Sequence, residues 1–180
     1  MTSLALALAL VLQQQAVQQP ATAAGDSAQA ATRQAITDVG RGVAEARSAH
    51  DLLRRAVFNS SDAQVVERAR QMQQRCRELT TIVQSATGKV CRSCWGATAQ
   101  RAINGYRMAL PSVGQLGTRC VNQITRDLRA ANAAAAVRAS IRTVSQMITS
   151  GLEPYEAKLL DVRRAFGLVA QPAHLAQPRR

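Results

Sequence analysis

Between residues 65 and 86 the apolar positions Val65, Ala69, Met72, Cys76, Leu79, Val83 and Ala86 recur at steps of four and three. At 3.6 residues per turn, that spacing lays them in one stripe along a helix, and such a stripe has to be buried against a neighbour. The same period runs through Ile36, Val39, Val43, Ala46, His50, Leu53 and Val57, and through Trp95, Ala99, Ala102, Tyr106 and Ala109. It continues in Cys120, Ile124 and Leu128, in Val137, Ile141, Val144 and Ile148, and in Tyr155, Leu159, Val162, Phe166 and Val169. No segment alternates with the period of two that a strand requires. Aromatics make up only 3% of the chain while Ala, Gln and Arg abound, a balance that favours helix over strand. The expected fold is all-α, a disulfide-stapled bundle of four to five helices.

Punctuation divides the stripes. Asn59-Ser60-Ser61-Asp62 ends a first helix over about 28–58, and Ser61 with Gln64 forms a capping box that opens a second over about 62–87. Gly88 is a natural residue beyond the end of that helix. A third helix starts near Cys91, and Pro111, Gly114 and Gly117 mark a break after it. A fourth helix is expected over about 118–149, carried through its centre by the alanines from Ala130 to Ala136. Gly151 closes it, and Pro154 stands as the first residue of a last helix.

A nine-residue apolar run, Leu4 to Leu12, precedes this body. It is shorter than the roughly 20 residues that span a bilayer, but it fits the apolar core of a secretory leader with small residues at Ala21-Thr22-Ala23-Ala24. The expected organisation is a signal peptide over 1–23, a helical domain over 24–170 and a disordered tail over 171–180. It implies secretion with no transmembrane anchor. A disordered or amphipathic arm is the competing reading of the leader, because no Lys or Arg precedes the run. Asn59-Ser60-Ser61 is also an N-glycosylation sequon, so Asn59 is a candidate acceptor in a secreted chain.

The four cysteines are spaced C-x14-C-x2-C-x25-C. An even count behind a leader reads as structural disulfides among Cys76, Cys91, Cys94 and Cys120. If the second and third helices turn near Gly88, Cys76 faces residue 100 or so at a rise of about 1.5 Å per residue. That register favours Cys76 with Cys94 and leaves Cys91 with Cys120. A Cys91–Cys94 redox pair, favoured as thiolate by Arg92 and Lys89, is a second reading. A zinc site is a third, and is disfavoured because only one close cysteine pair exists. No metal and no cofactor are expected.

The chain carries 23 basic residues against 11 acidic ones, a formal charge of +12, and all but Lys89 and Lys158 of the basic residues are arginine. Arginine's planar fork suits carboxylate, sulfate and phosphate, although a GC-rich genome yields the same bias without function. The excess is concentrated in the middle, and Arg68, Arg75, Arg101, Arg119, Arg126, Arg129, Arg138 and Arg142 are the candidate polyanion-binding residues. The alternative is an ordinary solvated face. With few aromatics for base stacking, specific nucleic-acid binding is not expected, and the expected partners are an anionic glycan, a lipid surface or a microbial surface. Trp95, Met72, Tyr106, Met108 and Met147 are candidates for lining an interhelical site for a small apolar ligand, against their reading as ordinary core. A structural or interaction role in an extracellular secretion is a further alternative. Only His50 and His174 are present, and neither GxSxG, P-loop, HExxH nor GxGxxG occurs, so no enzyme is expected.

In its leader, its helical body and the cysteines near helix ends, as in Cys91-Arg92-Ser93-Cys94-Trp95 and Cys120, the chain resembles the small secreted helical proteins of insects that share the TsetseEP-type domain. The resemblance covers about 64–168. It implies an extracellular role in gut, body fluid or reproductive secretion, without catalytic residues.

Overall fold

The computed structural model describes the backbone from Ser3 to Gly167 and the side chains from Ala24 onward. The expected tail over 171–180, His174 and Val169 lie outside the described residues, as do the side chains of the expected leader. Four helices follow one another: α1 (Ser3–Asn59), α2 (Asp62–Lys89), α3 (Ala97–Arg129) and α4 (Ala133–Ala165). No strand occurs among the described residues, and no described helix is long and apolar enough to cross a membrane.

Consecutive helices pack as antiparallel neighbours, α4 closes on α1, and α2 touches α4 across the short diagonal while α1 and α3 stay apart. The α2 stripe is buried at all seven positions that its spacing marks. Leu53, Met72, Leu79, Ile103, Tyr106, Leu110, Ile124, Leu152 and Tyr155 form the bulk of the core. Fully burying a side chain such as Leu stabilises by roughly 1.5–3 kcal/mol. The helix α1 contributes Val39, Val43, Leu53 and Val57 together with four alanines, Ala35, Ala46, Ala49 and Ala56, and the alanines gain little area unless the backbones approach closely.

Tyr106 and Tyr155 stack tilted at 5.6 Å between ring centres. Among the described residues their buried hydroxyls have no hydrogen-bonding partner, and burial pushes both phenols' pKa upward, so both stay neutral.

The helix boundaries correct the expectation. α1 runs from Ser3, well before residue 28. The helix expected near Cys91 begins at Ala97, after a seven-residue connector over 90–96. Pro111, Gly114 and Gly117 lie inside α3, and Gly151 and Pro154 inside α4, so four helices, within the expected four to five, are present among the described residues. Both prolines are exposed, which lets water satisfy the carbonyl that a helical proline leaves unbonded. Gly117 lies in the α2–α3 seam, where a Cβ would overlap the Thr80 hydroxyl and sit 2.9 Å from the Cys76 carbonyl. Gly151 would place one 3.0 Å from Leu116. These glycines permit close helix approach and do not end helices. The actual break falls at Ala130–Asn132, within the alanine run, where the Asn132 side chain accepts from the Ala135 amide at 3.1 Å and caps α4. The Ser61–Gln64 capping expectation is met: the Gln64 side chain accepts from the Ser61 amide at 3.2 Å.

The cysteine pairing is also corrected. Cys76 lies at disulfide distance from Cys120, with Cα atoms 6.3 Å apart, and Cys91 from Cys94, with Cα atoms 5.8 Å apart. The hairpin does not turn about Gly88. The start of α3 overhangs the end of α2, so the crossing point falls midway between Cys76 and Cys120, about ten residues later than expected. Residue 100 is therefore carried past the end of α2, and Cys120 is brought opposite Cys76.

Candidate anion-binding surface

The eight arginines picked out by charge fall on three helices and separate by environment. Arg138 is not a free surface cation. It donates to the backbone carbonyls of Val57 at 3.1 Å and Ser60 at 2.9 Å and pairs with Asp62, tying the α1–α2 turn to α4. Arg75 is bound to Glu45 at 3.2 Å and Glu78 at 2.7 Å. The Glu78 carboxyl is held below its ordinary range by hydrogen bonds from Gln74 and then Arg75. Arg68, half-buried, donates to Gln71 at 2.7 Å. Arg75 and Arg138 are thus tied to other parts of the fold, whereas the Arg68 bond stays within α2, as the bond from Arg126 to Gln123 stays within α3.

The other five, Arg101, Arg119, Arg126, Arg129 and Arg142, are exposed and take part in no ion pair among the described residues. Four of them belong to α3. At about 100° per residue, Arg101 and Arg119 are five whole turns apart, Arg126 is offset by roughly 20°, and the three form a ridge roughly 38 Å long. Arg129 stands beside its end. Met108, 72% exposed, lies on the same line.

α3 holds five arginines, counting Arg107, and one carboxylate, Asp127. That carboxylate is buried and turned inward, accepting from Gln123 at 3.0 Å and Ser140 at 2.6 Å. The outer face of α3 is thus cationic without compensation. Each of the other helices takes part in several ion pairs, including Arg41–Asp38, Arg47–Glu156, Arg70–Glu67 and Lys158–Asp161.

The five residues considered for an apolar ligand do not meet. Met72 and Tyr106 are fully buried core, Met108 faces solvent, and Met147 edges a shallow groove between α3 and α4. Trp95 stacks on Phe166 at 4.8 Å at the end of the bundle, with Arg33 over both rings at 5.5 and 5.7 Å.

His50, an unremarkable stripe position by sequence, contacts Ser145 across the α1–α4 seam at 2.9 Å. The Ser145 hydroxyl donates to the Ile141 carbonyl at 2.9 Å, so its single proton is used there and the imidazole must donate to it. Asp51 lies 3.6 Å from the other ring nitrogen, too far to orient the ring as a base. The arrangement is a seam contact, not a nucleophile with its base. Among the described residues no three His, Cys, Asp or Glu side chains are grouped to hold a metal. Asn59, the last residue of α1, is exposed.

No protein-family model matches the chain, and neither the curated proteins nor the solved structures contain a significant match.

Proposed function

We propose that the chain is a secreted helical protein that binds polyanions or anionic surfaces, without chemistry at that site, through the outer face of α3. The observation that carries this reading is the contrast in compensation. Among the described residues none of the five α3 arginines has a carboxylate partner, whereas α1, α2 and α4 each hold part of their basic residues in ion pairs. A row of uncompensated guanidinium forks offers bidentate donors to sulfate, phosphate or carboxylate. Secretion is supported by the apolar leader and by two cysteine pairs at disulfide distance. An extracellular setting of the kind implied by the TsetseEP-type resemblance, and a glycan on exposed Asn59, belong to the same proposal.

Heparin chromatography of the wild type and of two charge-matched triple variants tests it. The ridge variant is Arg101→Glu/Arg119→Glu/Arg126→Glu, and the control is Arg54→Glu/Arg55→Glu/Arg163→Glu. The wild type is expected to stay bound above about 0.15 M salt, where the Debye length has fallen to about 8 Å, and only the ridge variant to lose retention. Equal loss in both variants, or elution of the wild type below that salt, overturns the proposal in favour of bulk charge alone.

A further inference from the structure

The two cysteine pairs occupy opposite environments. Cys76 and Cys120 are 1% and 0% exposed in the α2–α3 seam, beside Gly117, and join residues 44 apart in sequence. Cys91 and Cys94 are half-buried in the connector between α2 and α3, flanked by exposed Arg92 and Ser93, and join residues only 3 apart. A bond of that short span ties no helix to another. The register that places Cys120 opposite Cys76 leaves this second pair without a stapling role.

The connector is held independently of its sulfurs. The Cys91 amide donates to the Thr32 hydroxyl at 2.9 Å, and that hydroxyl in turn reaches the carbonyls of Ala28 at 2.9 Å and Lys89 at 3.2 Å. Gln29 donates to the Cys94 carbonyl, and Trp95 is stacked on Phe166 at the end of α4. Opening the Cys91–Cys94 bond would therefore leave both thiols on a docked loop, close enough to rejoin. Lys89 and Arg92 are exposed, form no ion pair among the described residues, and sit two residues before and one residue after Cys91. Neighbouring cations favour a thiolate, both as attacking and as leaving group.

We infer that Cys91–Cys94 is a thiol–disulfide exchange site, whose substrates are dithiol peptides and small thiols of the extracellular space. In the exchange, a substrate thiolate attacks one of the two sulfurs. A mixed disulfide forms, the Cys91–Cys94 bond breaks, and the other cysteine leaves as thiolate. The substrate's second thiolate then attacks its own sulfur in the mixed disulfide. The substrate leaves oxidised by two electrons, and the pair is left reduced by two, with the two substrate protons ending on Cys91 and Cys94. Oxidised glutathione returns the pair to the disulfide by the same steps reversed. The buried Cys76–Cys120 pair takes no part, because no thiolate reaches it while the seam is closed.

The test uses the full-length oxidised protein with reduced glutathione as probe, quenched by alkylation at intervals and mapped by mass spectrometry. Cys91 and Cys94 are expected to become alkylated at least about tenfold faster than Cys76 and Cys120, with the circular dichroism unchanged. In a buffer of oxidised glutathione, the wild type is expected to accelerate oxidation of a dithiol peptide. Cys91→Ser/Cys94→Ser should abolish that acceleration, and Cys76→Ala/Cys120→Ala should retain it at a temperature where that variant is folded. Equal reduction rates for the two pairs overturn the inference. So does peptide oxidation that is no faster with the wild type than with the double-serine variant.

Discussion

The seam between α2 and α3 and the seam between α4 and α1 are built in opposite ways. The first is close and mostly apolar: Gly117 lies against Thr80 and the Cys76 carbonyl, with the Cys76–Cys120 pair beside it, Val83 against Gly114, and a hydrogen bond from Gln73 to Thr125 at 2.6 Å. The second is sparser and polar, held by His50 on Ser145, by Arg47 on Glu156 and by Arg138 reaching the end of α1. The first seam derives its stability from exclusion of water and tolerates no added volume. The second depends on a few directed contacts and is sensitive to charge state.

Breaking the apolar seam should give the largest effects. Removing its cross-link with Cys76→Ala/Cys120→Ala is expected to cost about 4 kcal/mol, and Cys91→Ser/Cys94→Ser only about 2 kcal/mol, on the chain-entropy dependence on loop length. Denaturant unfolding of both variants measures the difference, and equal losses would remove the distinction between the pairs. Gly117→Ala leaves the cysteines in place but adds a methyl group where backbone and hydroxyl already meet, and should cost roughly 2–3 kcal/mol. For a chain of this size that is a fall in Tm of roughly 4–12 °C, readable by circular dichroism.

The polar seam should respond less. Arg138→Ala leaves the Val57 and Ser60 carbonyls without their donor and should cost about 1–2 kcal/mol.

The smallest effect is pH dependence. Burial, opposed by Asp51 and reinforced by Arg54, lowers the His50 pKa from its ordinary 6.5. Between the two pKa values the unfolded chain binds the proton and the folded one does not. Stability should therefore be full above pH 6.5 and decline as the pH falls from there toward the folded value, a decline that disappears in His50→Gln. A His50→Gln profile that matches the wild type would assign the pH response to other groups.

The same contrast explains what the sequence made legible. Stripe membership was readable because burial follows the helical period: every α2 position named from spacing is buried, and so are Val137, Ile141, Val144 and Ile148 on α4. Helix ends were not. Glycine serves both as a terminator and as a contact that lets two backbones meet, and at Gly117 and Gly151 only the partner helix distinguishes the two uses. The break at Ala130–Asn132 had a local signal, an Asn in the N-cap position, that the surrounding alanines outweighed. The cysteine pairing failed for a related reason, because register depends on how far α3 overhangs α2, which spacing does not encode. Of the eight arginines chosen by charge, sequence could not separate Arg138, whose partners lie at distant positions, from the uncompensated row on α3, whereas Glu78, three residues beyond Arg75, was a local signal of its pairing.

One contact at the end of the bundle makes the molecule its own optical instrument. The chain has a single tryptophan, and Trp95 directly follows Cys94, stacked on Phe166 beneath the Arg33 guanidinium. Its fluorescence therefore reports a single locus, where the connector, α1 and the end of α4 converge. Loosening of that end, or a change in the oxidation state of the neighbouring sulfurs, can be followed in the native chain without attaching a dye.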